Sequence, residues 1–210
     1  DGGEFMESPE MTIIYILIVT IASVMLLKGK RIEINAVQRL IFISGELMNR
    51  LIPEINKIIS YTKGDLVTVS DVDAVAIHVP EAVVFDMTDC LGNGEIGKAM
   101  FLLDELLASK DSDEYMIIAI LGGQMRRLYA AKLAIEKGEG AEFLKSGCGI
   151  TNDYQANKLI SAARRYGIGQ LRRAVELCEK TDYRMKSSGA DPTELLRECI
   201  MRIAAGEKDA

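Results

Sequence analysis

Apolar residues recur at helical spacing in one segment after another from residue 32 onward. They lie three and four positions apart, which is typical of amphipathic helices. The spacing predicts helices at about 34–44, 46–62, 81–91, 95–108, 113–137, 141–147, 152–165, 168–188 and 191–205, and a short helix that starts at about 69. The chain has only 4 prolines, and residues with a high helix propensity are abundant. We therefore predict an all-α fold with a short apolar segment at its N-terminal end.

Two start signals mark particular helices. Thr68 and Asp71 form a T-x-x-D pattern, which predicts a capping box before a short helix. Asp191 is placed to cap the last helix, because Pro192 follows at the first helical position and Glu194 lies three residues after the cap.

Residues 11–27, MTIIYILIVTIASVMLL, carry no charge and are followed by KGKR. A membrane span is one interpretation, at the short limit of length. A signal sequence is a second, although its positive charge normally precedes the apolar run. A buried strand over TIIYILIV is the third, since β-branched and aromatic residues favour central strands. Residues 1–10 look like a cloning remnant followed by a start at Met6, and DGGEF, which precedes that start, is left out of the fold prediction.

Charge and cysteine content limit the possible functions. The net charge of -6 argues against broad nucleic-acid binding, which needs a basic face. The cysteines are Cys90, Cys148, Cys178 and Cys199, without a C-x-x-C motif and with a single histidine, His78. This pattern predicts reduced thiols in a cytosolic protein, no zinc site and no other cofactor. His78 precedes a V-P step and is predicted to be structural.

GNGEIGK, residues 92–98, matches the G-x-x-x-x-G-K skeleton of a phosphate-binding loop. A working loop needs a strand before it, a helix after it and Ser or Thr after the lysine, where this chain has Ala99. The preceding segment has helical spacing. We therefore predict a helix end and a turn into the next helix, with Gly92 and Gly94 at positive φ, and no catalytic site.

Paired arginines recur at 126–127, 164–165 and 172–173. Solvated helix faces with ion pairs between neighbouring turns are one interpretation. An interface lined by arginine, a residue enriched at protein–protein contacts, is the other.

From Gly29 onward the sequence resembles the delta subunit of the bacterial DNA polymerase III clamp loader. GKRIEINAVQRLIFISGELMNRLIPEINKIISYTKGDLVTVSDVDAV is similar to the lid domain of that family, with Glu54, Lys57 and Tyr61 on one helix and a T-x-x-D-V start at 68–72. EAVVFDMTDCLGNGEIGKAMFLLDELLA resembles the passage into the third domain, where Phe85, Asp86 and the helix at 99–107 recur.

The C-terminal half continues the resemblance. LGGQMRRLYAAK is similar to a Q-x-R helix, with Gln124, Arg126 and Lys132. The last helices resemble those of the family through five positions: Asp182, Lys186, Ser187, Gly189 and Asp191.

The resemblance implies a cloning remnant plus apolar segment at 1–30, a helical AAA+ lid-like domain at 31–92 and a helical collar domain at 93–210. It implies a non-catalytic clamp-loader subunit that acts in DNA replication in the cytoplasm. The DNA-directed DNA polymerase holoenzyme to which such a subunit belongs is a nucleotidyltransferase. The expected partners are the delta-prime and tau/gamma subunits, with DNA bound only within the assembled complex.

One departure stands out. The α/β domain through which the family binds and opens the sliding clamp is almost wholly missing, so clamp contact is expected only through that missing domain.

The candidate residues for the subunit interface are Gln124, Arg126, Arg127, Arg164, Arg165 and Lys186. The alternative is a membrane-tethered helical protein-interaction domain with residues 11–27 as its anchor, although the resemblance favours a protein without a membrane partner.

Overall fold

The computed structural model describes residues 9–141, 143–144, 150 and 153–206. Its helices are α1 (Pro9–Leu27), α2 (Ile34–Ser44), α3 (Met48–Tyr61), α4 (Val69–Val75), α5 (Pro80–Gly92), α6 (Ile96–Ala108), α7 (Glu114–Lys137), α8 (Asp153–Ala163), α9 (Ile168–Ser187) and α10 (Pro192–Ala205). The all-α prediction is confirmed. The two-residue strands β1 (Arg31–Ile32) and β2 (Leu66–Val67), which the helical spacing does not reveal, pair in parallel. The helix predicted at 141–147 falls largely outside the described residues.

The chain divides into two compact units. The first comprises residues 1–79 and 151–155, and the second comprises residues 80–150 and 156–210. Each unit is described separately below.

Residues 11–27 form a helix, so the prediction of a strand in this segment is wrong. The side chains of α1 that are buried lie three or four positions apart, at Ile14, Leu17, Ile21 and Met25. This spacing matches one side of a helix, and burial on that side outweighs the preference of β-branched residues for strands. Among the residues that the structure describes, no helix is long and apolar enough to cross a membrane.

The core of the first unit lies between α1, α2, α3 and α4. Its fully buried side chains include Ile21, Met25, Leu40, Ile43, Leu51, Ile58 and Val72. Arg39 on α2 donates from Nε to Asp73 on α4 across 2.7 Å. These contacts hold the four helices around one apolar centre.

Polar contacts fix the loops of the first unit. The buried carboxylate of Glu54 accepts the backbone N–H of Ile77 at 3.0 Å and pairs with Lys57 Nζ at 2.7 Å. Lys30 donates to the carbonyl of Thr62 at 2.9 Å. The segment that returns to this unit contributes Tyr154, whose ring meets the edge of Phe42 at a centroid distance of 6.0 Å.

The capping box at the start of α4 is confirmed. Thr68 accepts the N–H of Asp71 through its hydroxyl, and the Asp71 carboxylate accepts the N–H of Thr68 at 2.8 Å. We expect Thr68→Ala to lower the free energy of unfolding by about 1 kcal/mol, because an orphan N–H loses its partner. Urea unfolding followed by circular dichroism measures this. Ser70→Ala, at an exposed position of the same helix, should change it by less than about 0.5 kcal/mol, and equal losses in both variants would contradict the capping argument.

The second unit is built around α7 and α9. Thr193 Oγ1 donates to Glu114 at 3.0 Å, which joins the start of α10 to the start of α7. Arg197 on α10 forms an ion pair with Asp104 on α6, and Arg184 on α9 pairs with Glu198 on α10 at 3.1 Å. The predicted cap at Asp191 is confirmed, since its carboxylate accepts the N–H groups of both Thr193 and Glu194.

Candidate subunit interface

The G-x-x-x-x-G-K segment joins two helices. Helix α5 ends at Gly92, Gly94 has a φ of 76°, and α6 begins at Ile96. Lys98 Nζ donates to Glu95 at 2.9 Å. No strand precedes the loop in this described stretch, so the prediction of a turn between helices is confirmed.

Gly92 is the last residue of α5 and its φ is not positive, so the prediction of a positive φ at this position is wrong. A methyl group at Gly92 would lie 2.8 Å from Cε2 of Tyr166. The phenol of Tyr166 donates to the carbonyl of Thr88, and burial raises its pKa well above the ordinary value. Gly92 is therefore needed for the close approach of this buried ring.

Helices α7 and α9 run antiparallel in close contact. Tyr115, near the start of α7, donates through Oη to the carbonyl of Met185, near the end of α9, at 3.4 Å. A methyl group at Gly122 would lie 3.5 Å from Cβ of Cys178. Residue numbers on the two helices therefore run in opposite directions, which brings residues 126–127 of α7 level with residues 173–174 of α9.

The two helices carry arginines at this level, and each of two arginines lies over a glycine. Arg126 Nη1 would be 3.5 Å from a methyl group at Gly122, and Arg173 Nη1 would be 3.4 Å from one at Gly169. In each case the glycine lies four residues earlier on the same helix, so the missing side chain leaves room for the guanidinium. We call Arg126, Arg127 and Arg173 the arginine face.

Acidic partners do not neutralise the arginine face within the part of the chain that the structure describes. Arg126 and Arg127 are exposed and Arg173 is half-buried. No ion pair joins any of the three to a described carboxylate, and Arg173 Nε is buried without a hydrogen-bond partner. Arg172, by contrast, lies 3.8 Å from Glu176. The arginine face is thus a set of cations with donors available to an acidic group.

The other candidate interface residues lie in different settings. Gln124 is only 5% exposed, and its Nε2 has no partner among the described residues. Arg164 is exposed, whereas Arg165 pairs with Asp89. Lys186, near the other end of α9, pairs with Asp182 at 2.7 Å. That these four residues contribute to a subunit interface stays a prediction.

Arg173 was not among the predicted interface residues, although its pair with Arg172 is evident in the sequence. Its signal is the glycine four residues earlier, at Gly169, which repeats the spacing of Gly122 and Arg126. The sequence alone does not show that the two arginines lie at one level, because that depends on the antiparallel packing of α7 and α9.

The described cysteines form no metal site. Cys178 on α9 and Cys199 on α10 are buried and share a hydrogen bond, which together with burial raises the pKa of the Cys178 thiol. No group of three or more possible metal ligands occurs within the described ranges. Cys148 lies outside them.

The protein is all-helical and has two compact units. The second unit carries the arginine face, which forms no ion pair with a described carboxylate. Residues 81–203 match the family model described as the DNA polymerase III delta subunit, C-terminal domain. The chain belongs to this family.

A probable DNA polymerase III subunit delta from Aquifex aeolicus (strain VF5) is 29% identical over 175 residues, which are 82% of this chain and 50% of that protein. A structure of the Bacillus subtilis DNA clamp loader delta protein shares the fold, with a TM-score of 0.72 and 19% identity over 91% of this chain and 56% of that one. The chain spans about half the length of both proteins.

Proposed function

We propose that this chain is a non-catalytic subunit of the DNA polymerase III clamp loader and that it acts in DNA replication in the cytoplasm. The observation that supports the proposal is the family match over residues 81–203, most of which belong to the second compact unit. In this proposal the first unit is an AAA+ lid and the second is a collar domain, which assembles with the delta-prime and tau/gamma subunits. Clamp opening belongs to a further domain of longer family members, and DNA is bound only in the assembled complex.

The arginine face is the proposed contact with a neighbouring subunit. Arginine is favoured at protein interfaces because its planar guanidinium forms several directed hydrogen bonds to a carboxylate. Arg126 and Arg127 are exposed on α7 without an ion pair to any described residue, so a partner can engage them without breaking a contact inside this chain. Arg164, Arg165, Lys186 and the buried Gln124 are secondary candidates.

Size-exclusion chromatography with the delta-prime and tau/gamma subunits of the same loader tests the assembly. We expect co-elution at moderate salt. Arg126→Glu combined with Arg127→Glu should weaken binding by at least about tenfold, because reversing charges at an interface places like charges together. The control combines Lys63→Glu with Lys110→Glu, which makes the same change of charge at exposed positions outside α7.

Two results would count against the proposal. Separate elution of a chain that is well folded by circular dichroism would reject assembly through these units. Equal loss of binding in the arginine variant and the control variant would leave assembly standing and reject the arginine face as its contact.

A further inference from the structure

Two buried cysteines meet between α9 and α10, and the proposed assembly of the chain makes no use of them. Cys178 on α9 is 2% exposed and Cys199 on α10 is 1% exposed. Both are free thiols, and a hydrogen bond joins them although they lie on different helices. A thiol that contacts a second thiol has a chemistry that a single buried thiol lacks, because the two together can form a disulfide.

The helices that carry these thiols form a hairpin. Helix α9 ends at Ser187 and α10 begins at Pro192, so a short connection joins two helices that are in direct contact. Arg184 on α9 pairs with Glu198 on α10 at 3.1 Å, and Cys178 meets the next residue of α10. The hydrogen bond already places the two sulfur atoms side by side, and a disulfide would bring them to about 2.05 Å.

The surroundings of the two sulfur atoms differ. The thiol of Cys178 and the hydroxyl of Thr181 donate hydrogen bonds to Cys199, and with the charge of Arg202 they lower the pKa of Cys199 against the effect of burial. The hydrogen bond to Cys199, together with burial, raises the pKa of Cys178. Because a thiolate is the nucleophile in thiol chemistry, Cys199 is suited to attack first and Cys178 to react second.

We propose that Cys178 and Cys199 form a reversible redox site, at which a hydroperoxide converts the two thiols into a disulfide that ties α9 to α10. The proposal goes beyond the proposed function and does not rest on it. Proteins of reducing compartments normally keep their thiols reduced, and the disulfides that do form there are usually transient and often sense oxidants. The reduced pair is therefore the resting state, and the disulfide is the response to an oxidant.

The reaction has two steps. With hydrogen peroxide, the sulfur of Cys199 attacks one oxygen, the O–O bond breaks, and Cys199 becomes a sulfenic acid while the departing hydroxide takes up the thiol proton as water. The sulfur of Cys178 then attacks the sulfur of Cys199. The S–S bond forms, the S–O bond breaks, and the hydroxide leaves with the proton of Cys178 as a second water. Two electrons pass from the thiols to the peroxide.

Burial sets the rate of this reaction. Peroxide reaches Cys199 only when the contact between α9 and α10 opens locally. We therefore expect oxidation over minutes to hours, within the usual range for disulfide formation. Once formed, the disulfide prevents the hairpin from opening at this point.

Cys90 on α5 offers a contrast within the same chain. Burial raises the pKa of the Cys90 thiol, and the nearby carboxylates of Glu95 and Asp89 raise it further. Its thiolate is therefore disfavoured, and we expect Cys90 to take no part in the disulfide.

Peptide mass spectrometry of the folded full chain, after treatment with hydrogen peroxide, tests the site. Trypsin places the two cysteines on separate peptides, AVELCEK (174–180) and ECIMR (198–202). We expect a disulfide to join these two peptides and dithiothreitol to separate them. A control chain with Cys90→Ser and Cys148→Ser should form the same cross-link, since neither of these cysteines takes part.

Single variants test the order of the two steps. Cys178→Ser should accumulate a sulfenic acid at Cys199, which dimedone traps, because no second thiol is left to resolve it. Cys199→Ser should leave Cys178 reduced under the same treatment. Circular dichroism checks that both variants are folded, and the cross-link in the unchanged chain tests the site independently of them.

The outcomes separate the parts of the proposal. Peptides that stay unlinked in the folded chain, or that link only after unfolding in urea, would overturn the redox site. A sulfenic acid at Cys178 in place of Cys199 would overturn the assigned order. The oxidised chain should unfold at a urea concentration about 1 M higher than the reduced chain, because a disulfide restricts the unfolded state, and an unchanged or lower midpoint would show that the disulfide does not hold the hairpin together.

Discussion

Gly92→Ala is expected to lower the free energy of unfolding by about 1–3 kcal/mol, the usual cost of overpacking a filled site. The backbone of Gly92 is helical and would accept alanine. The added methyl group, however, would lie 2.8 Å from the ring of Tyr166 and 3.3 Å from Cβ of Arg165. Tyr166 is buried and hydrogen-bonded to Thr88, so its ring has little freedom to move away. Urea unfolding measures the loss.

Gly97→Ala is the matched control, since it changes the other glycine of the same G-x-x-x-x-G-K segment. A methyl group at Gly97 meets nothing within 4 Å. We expect this variant to be more stable by about 0.5–1 kcal/mol, because alanine favours a helix more than glycine does. Similar effects of the two substitutions would show that packing against Tyr166 is not the reason for Gly92.

Gly122→Leu is expected to destabilise the second unit by about 2–3 kcal/mol. A Cβ at this position fits at an ordinary 3.5 Å from Cys178 Cβ and Arg126 Nη1, but the further atoms of leucine would press on α9 and displace the guanidinium of Arg126. Overpacking between two helices in close contact has a cost of this size. Thermal and urea unfolding both report it.

Gly123→Leu tests the same substitution one residue further along α7. A methyl group there meets only Arg126 Nη2, at 4.0 Å, so the larger side chain has room toward solvent. We expect a change of less than about 1 kcal/mol, in which the higher helix propensity of leucine offsets small packing changes. A loss as large as that of Gly122→Leu would contradict the close approach of α7 and α9 at Gly122.

Local signals predicted the helices from residue 34 onward and the starts of several of them. Thr68, Asp113 and Asp191 accept N–H groups of the following turn, and such caps depend only on residues within one turn. The turn at Gly94 was predictable for the same reason, since glycine adopts a positive φ without strain.

Features that depend on distant residues were not predictable in this way. The helical state of residues 11–27 is decided by burial of one side in the first unit, whereas their composition also suits a strand. The reason for Gly92 lies at Tyr166, and the arginine face depends on the packing of α9 against α7. In each case the deciding partner is far away in the sequence, where periodicity and motif spacing carry no information.

The first unit includes residues that follow most of the second unit in the chain. Tyr154 meets Phe42, and residues 151–155 are grouped with residues 1–79. During synthesis, which proceeds from the N-terminus, residues 1–79 leave the ribosome long before Tyr154 does. The first unit therefore reaches its final set of contacts only after α5, α6 and α7 have been made, and a chain that is cut short within α7 would leave a first unit without this aromatic contact.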